Sequence, residues 1–564
     1  MAFVELLTTR MHLTAIRLCG LIFFFAFLGN SVDGPIMWLL TPPSGGYTAA
    51  DLVWLNRIAL IPALIVVLRP RWWPALALCW CIWRSTYLNG GLWFFDGWDT
   101  MLLEVGFLAG LLAITLTLFD AEVVDVADDW KRDARRKLLT VPPGIGPDGF
   151  ELETAETRAW RKAWDQLWGV VPVATETMVP CSAIVGWCRT LAELSLTLMA
   201  FRLFFAAGLE KLRVGDPCWK DLTCLYDFYE MQPGPTALAW YFHTYTPHVV
   251  MSIMQFFAIN VSECLAPVLL LSPMFSVGAK CESRFFGSPA AFRVRLLGAA
   301  VIIIFVTGIF VCGNFAFLHP LSVVPLVASM GLTRGTLMAK PQPPGAGILS
   351  RAKAWYRRVA PVMVLVLLAF AFLPSLRAYA WILRGSEDTG RLLRPVMDSR
   401  VVQAAADLSL GIPYQRHEYF ARPLHTRNDM VLSAQVGDEW VELDIPQKVG
   451  HPNRSPRQTS PLHRRFAWQW WFLPLGSNGV VGKAAAPGWL RSFMRRLCEG
   501  HSTAWSAVES SPAHSRLHEV RRVAVQMYSY HFAAPGTGMW WTRRSHGNVS
   551  WPLLGTTHLE IGCD

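Results

Sequence analysis

The chain has 564 residues, 53% of them hydrophobic and only 16% charged, with a mean hydropathy of +0.31. Soluble chains carry about a quarter charged residues, so this balance excludes a string of soluble domains and points to a polytopic membrane protein. The net charge of +10 implies no nucleic-acid partner, because the basic residues sit in short clusters beside apolar runs, such as Lys131 to Lys137 and Arg351 to Arg358, where membrane topology accounts for them.

The first apolar run, 12–31, follows Arg10 and resembles a signal peptide, but Arg17 lies close to its core and many spans follow, so it reads as an uncleaved transmembrane helix. Further runs long enough to cross about 30 Å of hydrocarbon occur at 51–68, 72–89, 100–118, 190–209, 248–273, 294–312, 316–333 and 359–380. Nine helices are therefore expected, and the count turns on whether Gly313-Asn314 and His319-Pro320 separate two spans or break one. If nine helices alternate, Arg10, Arg69 and Arg71, Lys131 to Lys137, Lys280 to Arg295 and Arg334 to Arg358 all share one side. Loops 32–50 and 88–99 contain no Lys or Arg, so basic retention places the N-terminus in the cytosol and the C-terminus in the lumen.

The expected organisation has four parts. Residues 1–118 form an N-terminal four-helix membrane region, and 119–189 a cytosolic loop with one helical patch around Thr154 to Trp168. Residues 190–380 hold further membrane helices with a luminal cysteine loop at 210–247, and 381–564 form a luminal C-terminal domain. In that last part Met430 to Val436 and Trp440 to Ile445 alternate around Gly437-Asp438, a hairpin signal, and Val523 to Phe532 predicts another strand. A short helix is expected at Gly488 to Leu497 and a linker at Val449 to Pro461. The fold class is a polytopic α-helical membrane bundle of about nine spans followed by a luminal β-rich domain.

Of twelve cysteines, Cys19, Cys79, Cys81, Cys264 and Cys312 lie in or beside apolar spans and behave as small hydrophobes. Only Cys218 and Cys224 read as a pair. Their spacing fits a small disulfide loop, with a redox-active pair or two free thiols as the alternatives, and it is not that of a Cys-x-x-Cys oxidoreductase. No second Cys or His pair at ligand spacing supports a metal site. Asp99, Glu104, Arg202 and Glu263 fall within spans, where ionisable groups are costly, so they face the bundle interior as structural ion pairs or as a ligand site. Trp468, Trp470, Trp471, Phe472, Trp540 and Trp541 are candidates for a β-domain core, an interfacial belt or a binding patch. Asn548-Val549-Ser550 is a glycosylation sequon on the expected luminal side.

The run Gly215 to Leu225, continued through Tyr229 to Pro233 and Ala239 to His243, resembles the signature of the lipase maturation factor family. The likeness begins at Ile16 to Ile22 and Gly97 to Leu108. It continues at Phe201 to Phe204, Gly313 to Phe315, Trp468 to Phe472, Tyr528 to Phe532 and Trp540-Trp541. Its signature positions are Trp98, Asp99, Glu104, Arg202, Lys211, Gly215, Asp216, Pro217, Trp219, Trp240, His243 and Glu263.

The resemblance implies a multi-pass glycoprotein of the endoplasmic-reticulum membrane that assists secreted, dimeric lipases to fold and assemble, without cofactor or chemistry of its own. The tryptophan cluster would then be a client patch. The string Ala207 to Leu212 is also similar to one in vitamin-K-dependent carboxylases, where the lysine is a base. It makes Lys211 the candidate of a rival reading, a membrane-embedded enzyme; a thiol-redox factor using Cys218 and Cys224 is a third.

Overall fold

The computed structural model describes residues 11–118 except 95, 121–125, 179–180, 183–272, 289–330, 335–339, 348–376, 398–408, 425–474 except 463, 487–545 except 510, 558–563, and the single positions 379, 382, 395 and 410. The first helices are α1 (Met11–Leu40), α2 (Ala49–Leu68), α3 (Trp73–Asn89) and α4 (Gly97–Leu118). Helix α2 starts in a capping box, in which the Asp51 amide donates to the Thr48 hydroxyl and the Thr48 amide to the Asp51 carboxylate. A buried polar ladder ties three of these helices: Asn30 donates to Asn56 at 3.0 Å, and Asn56 donates to Thr86 at 3.2 Å. In an apolar bundle such side-chain amides hold helices together by hydrogen bonds that lipid does not offer.

The second group is α5 (Ala183–Val214), the short α6 (Pro217–Lys220), α7 (Cys224–Met231) and α8 (Ala237–Tyr245). It continues with α9 (His248–Leu270), α10 (Pro289–Cys312), α11 (Leu318–Met330) and α12 (Ile348–Phe372). The middle of α9, Phe257–Leu265, is wound as π-helix.

Among the described residues six helices are long and apolar enough to cross a membrane, namely α1, α2, α4, α5, α9 and α10. Of the nine spans expected, these six are the ones that the described residues carry at full length. The run at 72–89 is the 17-residue α3. Among the described residues the run at 316–333 holds α11, whose 13 residues cover about 20 Å at 1.5 Å per residue. Nearly every α11 side chain from Leu321 to Met330 is buried, so its apolar character reflects packing inside the bundle and not contact with lipid. Among the described residues the run at 359–380 holds the apolar helix Val359–Phe372.

The C-terminal region contains α13 (Arg400–Asp407), α14 (Arg465–Phe472) and α15 (Gly488–Cys498). Three short strands elsewhere, β1 (Ala121–Asp125), β2 (Val179–Pro180) and β3 (Gly335–Ala339), form a sheet in the order β1-β3-β2. The main sheet is built from β4 (Arg427–Val436), β5 (Glu439–Leu443), β6 (Val520–Phe532), β7 (Trp541–Ser545) and β8 (His558–Gly562). Its antiparallel order is β5-β4-β6-β7, with β8 also on β6. The expected hairpin is present, with Val436 opposite Glu439 across Gly437 at φ 61°. Strand β6 is the spine. One edge pairs with β4 from Arg427↔Tyr530 to Val436↔Val520; the other is shared between β7 at Tyr528 to Phe532 and β8 at Arg522 to Gln526.

Helix α15 is amphipathic, burying Trp489, Leu490, Phe493, Met494 and Leu497. A disulfide from its last residue, Cys498, to Cys563 staples it to the chain just after β8. Sequence reading had found a single cysteine pair, because two cysteines 65 positions apart leave no local pattern. The segment 449–461, expected as a linker, is a packed strap. The Asn314 carboxamide oxygen accepts from the amides of Thr459 (2.6 Å) and Ser460 (2.9 Å), and its nitrogen donates to the Arg457 carbonyl at 2.7 Å. The patch expected at Thr154 to Trp168 lies outside the described residues.

Closing a loop of this size restricts the unfolded chain by about 4 kcal/mol in the chain-entropy picture. Replacing Cys498 and Cys563 by Ser is therefore expected to lower the melting temperature of the purified protein and to open α15 to protease, read by thermal melts and limited proteolysis.

Candidate functional site

Three polar centres join the bundle to the C-terminal region. The first lies under α14. The Arg465 guanidinium makes a two-pronged ion pair with Asp99 (2.8 and 2.6 Å) and donates to Asn30 at 2.9 Å and to the Trp93 carbonyl at 2.7 Å. It also lies 3.9 Å from the centre of the Phe94 ring. Both partners are almost fully removed from solvent, so the flat fork of arginine matters: it satisfies several acceptors at once without water. The preceding Arg464 pairs with Asp33, whose second oxygen accepts from the Phe466 amide at 3.2 Å. Trp468 donates to Asp96 at 3.1 Å and meets the Trp98 ring edge to face at 4.6 Å between centroids. Burial, together with the neighbouring Asp99 carboxylate, pushes the Asp96 carboxyl well above the usual carboxylate range.

The second centre surrounds the disulfide. Gly215, at φ 74°, ends α5 in the left-handed conformation that glycine adopts without strain. Asp216 then caps α6 by accepting from the Cys218 amide at 3.1 Å, and Pro217 fills the first turn, where no amide is needed. Cys218 and Cys224 are disulfide-bonded, and both are buried. Lys211, one turn before the end of α5, donates to both oxygens of Glu263 at 2.5 Å and lies 5.7 Å from the centre of the Trp219 ring. Glu263 belongs to the π-wound part of α9, a geometry frequent at functional positions. Close approach of the two helices requires Gly208, since an added Cβ would meet the Glu263 Cβ at 2.8 Å. Asp216 lies within 4.8 Å of the two sulfurs, but sulfurs bonded to each other are not thiolate ligands, so this group does not form a metal site.

The third centre clasps the cysteine loop to the main sheet. Arg427 donates to the carbonyls of Glu230 (2.8 Å) and Gln232 (2.6 Å) and to Asp429 at 3.0 Å, while Lys448 pairs with the other Asp429 oxygen at 2.7 Å. In return Glu230 accepts from the Phe532 amide at 2.7 Å. Trp240 donates to the Ala533 carbonyl at 3.0 Å. His243 stacks on Tyr226 at 4.0 Å and meets Phe532 edge to face, with its Nε2 3.7 Å from Glu230. Burial lowers its pKa below the ordinary histidine value, against the opposing pull of Glu230 and Asp227. Inside the bundle, Glu104 pairs with Arg202 at 2.6 Å.

Every signature position expected from the sequence thus falls at one of these centres or inside the bundle. The six aromatics expected as a patch do not form one exposed surface. Trp468, Trp470, Trp471 and Trp541 are buried, Trp468 and Trp470 in the main core, Trp471 against Trp468, and Trp541 at the start of β7 against Phe532. Phe472 and Trp540 are half-buried. Sequence reading missed Arg464, Arg465, Arg427 and Glu230; the one available signal was the requirement that intramembrane Asp99 find a cation. Asn548 lies outside the described residues.

A multi-pass helical membrane protein with a β-sheet region keyed into its bundle by buried ion pairs is the class these features define. Residues 188–333 match the model of the lipase maturation factor transmembrane domain and residues 414–551 that of the lipase maturation factor C-terminal domain. Lipase maturation factor 1 of Mus musculus is 23% identical over 555 residues, covering 92% of this chain and 76% of the relative. That of Homo sapiens is 26% identical over 505 residues, covering 83% and 78%. Lipase maturation factor 2 of Homo sapiens is 23% identical over 604 residues, covering 91% and 74%. No solved structure matches the chain. The chain belongs to the lipase maturation factor family.

Two outcomes test the geometry. Arg465→Met leaves Asp99 buried without its partner, a defect of about 3–5 kcal/mol; the C-terminal region is expected to become protease-sensitive, and Asp99→Asn in the same chain to restore part of the protection. His243, held neutral by burial, contributes stability that is fully present above about pH 6.5 and is lost as the pH falls below it towards the depressed folded value. Protease resistance near Phe532 is expected to fall between pH 7 and 5.5, less steeply in His243→Gln, with Glu230, Asp227, His248 and His531 left in place.

Proposed function

We propose that this protein is an endoplasmic-reticulum membrane maturation factor that assists secreted lipases to fold, assemble as dimers and leave the compartment, with the cysteine loop and the C-terminal region in the lumen. The observation that carries the reading is the clasp between them: two family-matched segments, 188–333 and 414–551, are locked together through Arg427, Glu230 and Trp240. A binding factor needs such a surface of fixed shape, because preference for one client conformation is enough to shift the client's population. Two disulfides support the luminal placement, since such bonds persist in oxidising compartments.

The geometry supports a scaffold over the rival chemistries. Lys211 is engaged by both oxygens of Glu263 and so serves as a cross-link between α5 and α9. Cys218 and Cys224 are packed with Trp219 and Ile259, which keeps their sulfurs from a client's thiols.

The test is deletion of the protein in secreting cells, with the specific activity of each secreted lipase as readout. A fall in activity at unchanged lipase synthesis is expected, restored by the full-length chain; unchanged activity for every lipase refutes the function. A Lys211→Met, Glu263→Gln chain is expected to restore activity as well. Failure at normal abundance would instead show that the Lys211–Glu263 pair is needed for the function itself.

A further inference from the structure

Helix α8 and the β6–β7 turn share a surface that none of the three centres uses. On α8, Leu238, Tyr241, Phe242 and Tyr245 are exposed, Tyr245 to 61%. The turn brings Met539, also exposed, and the half-buried Trp540 beside them. The Trp540 ring lies 5.1 Å from Trp240 and 6.3 Å from Tyr241, both edge to face, so the aromatic surface is continuous across the two segments. It is also fixed, because Trp240 donates to the Ala533 carbonyl and the Trp540 amide to the Pro452 carbonyl. Neither Ala237 to Tyr245 nor Ala533 to Trp541 contains Lys, Arg, Asp or Glu.

We propose that this platform lies in the headgroup layer of the bilayer that the bundle spans, so that the C-terminal region touches the membrane through the tip of its own hairpin. Continuity with the lipid-facing surface argues for this occupant. Only Thr246 and Pro247 separate α8 from the membrane-crossing α9. The opening turns of α9 then expose Val249, Val250, Ile253, Phe256 and Phe257, which is the composition of a surface facing hydrocarbon. Tyr and Trp concentrate at the ends of spans, where an apolar ring and a polar tip suit the boundary between hydrocarbon and water. An uncharged turn carrying Met and Trp enters that layer without desolvating an ion. Scattered exposed aromatics are ordinary on protein surfaces; a contiguous, uncharged set that continues into a transmembrane face is not.

The test uses the full-length chain in intact membranes, with a photoreactive benzoylphenylalanine placed singly at Tyr245, Met539, Ile253 or Trp440, and mass spectrometry of the irradiated protein. Ile253 faces outward on α9, and Trp440 is an exposed residue of β5. Gain of a phospholipid mass at positions 245 and 539, as at 253 and not at 440, is the expected result. Adducts at 253 alone, or adducts at 245 and 539 to a protein and not to lipid, overturn the proposal. The readout is lipid contact and not lipase activity, so its failure is distinguishable from failure of the maturation function.

Discussion

The buried pair between Asp99 and Arg465 is the constraint on which the arrangement of this molecule depends. A carboxylate at the head of an apolar helix is tolerable only with its charge balanced and its oxygens hydrogen-bonded. Here the balance comes from a helix 366 residues later in the chain. The residue before that helix, Arg464, pairs with Asp33 and the helix supplies Trp468 to Asp96, so three acids from the first hundred residues are answered within the five positions 464–468. The β-sheet region therefore takes one position on the bundle, set by charge and by flat donor geometry and not by apolar contact alone.

That fixed position explains the rest of the junction. Once α14 is seated, the strap 449–461 passes over the bundle end, where Asn314 clips it, and Arg427 reaches the carbonyls of the cysteine loop. The disulfide and the Lys211–Glu263 pair stiffen that loop at its N-terminal end. Each link is modest alone. Together they turn a loop between two spans and a separate sheet into one body.

Hydropathy placed the helices, because long apolar runs and their basic flanks are local properties. It did not separate α11 from a true span, since a helix buried in protein and one buried in lipid are equally apolar. The hairpin at Gly437-Asp438 was legible because alternation and turn chemistry are also local. Asp99, Glu104, Arg202 and Glu263 were legible as groups needing partners, and Glu104 and Arg202 proved to be partners of each other. Which of 51 basic residues answered Asp99 was not legible, because pairing over hundreds of residues leaves no spacing to read. The Cys498–Cys563 bridge escaped for the same reason. The tryptophans of α14 were conspicuous in composition, yet only packing shows that they fill a core.

The distance along the chain between Asp99 and Arg465 also sets a timetable. Translation at roughly 5–20 residues per second delivers the arginine roughly 20 to 70 s after the acid has been placed in α4. During that interval the newborn helices hold Asp33 and Asp99 without the cations that complete the finished molecule, so water or a transient companion must satisfy them. Assembly of the bundle is thus finished from its far end, and a chain truncated before α14 leaves the first helices permanently incomplete.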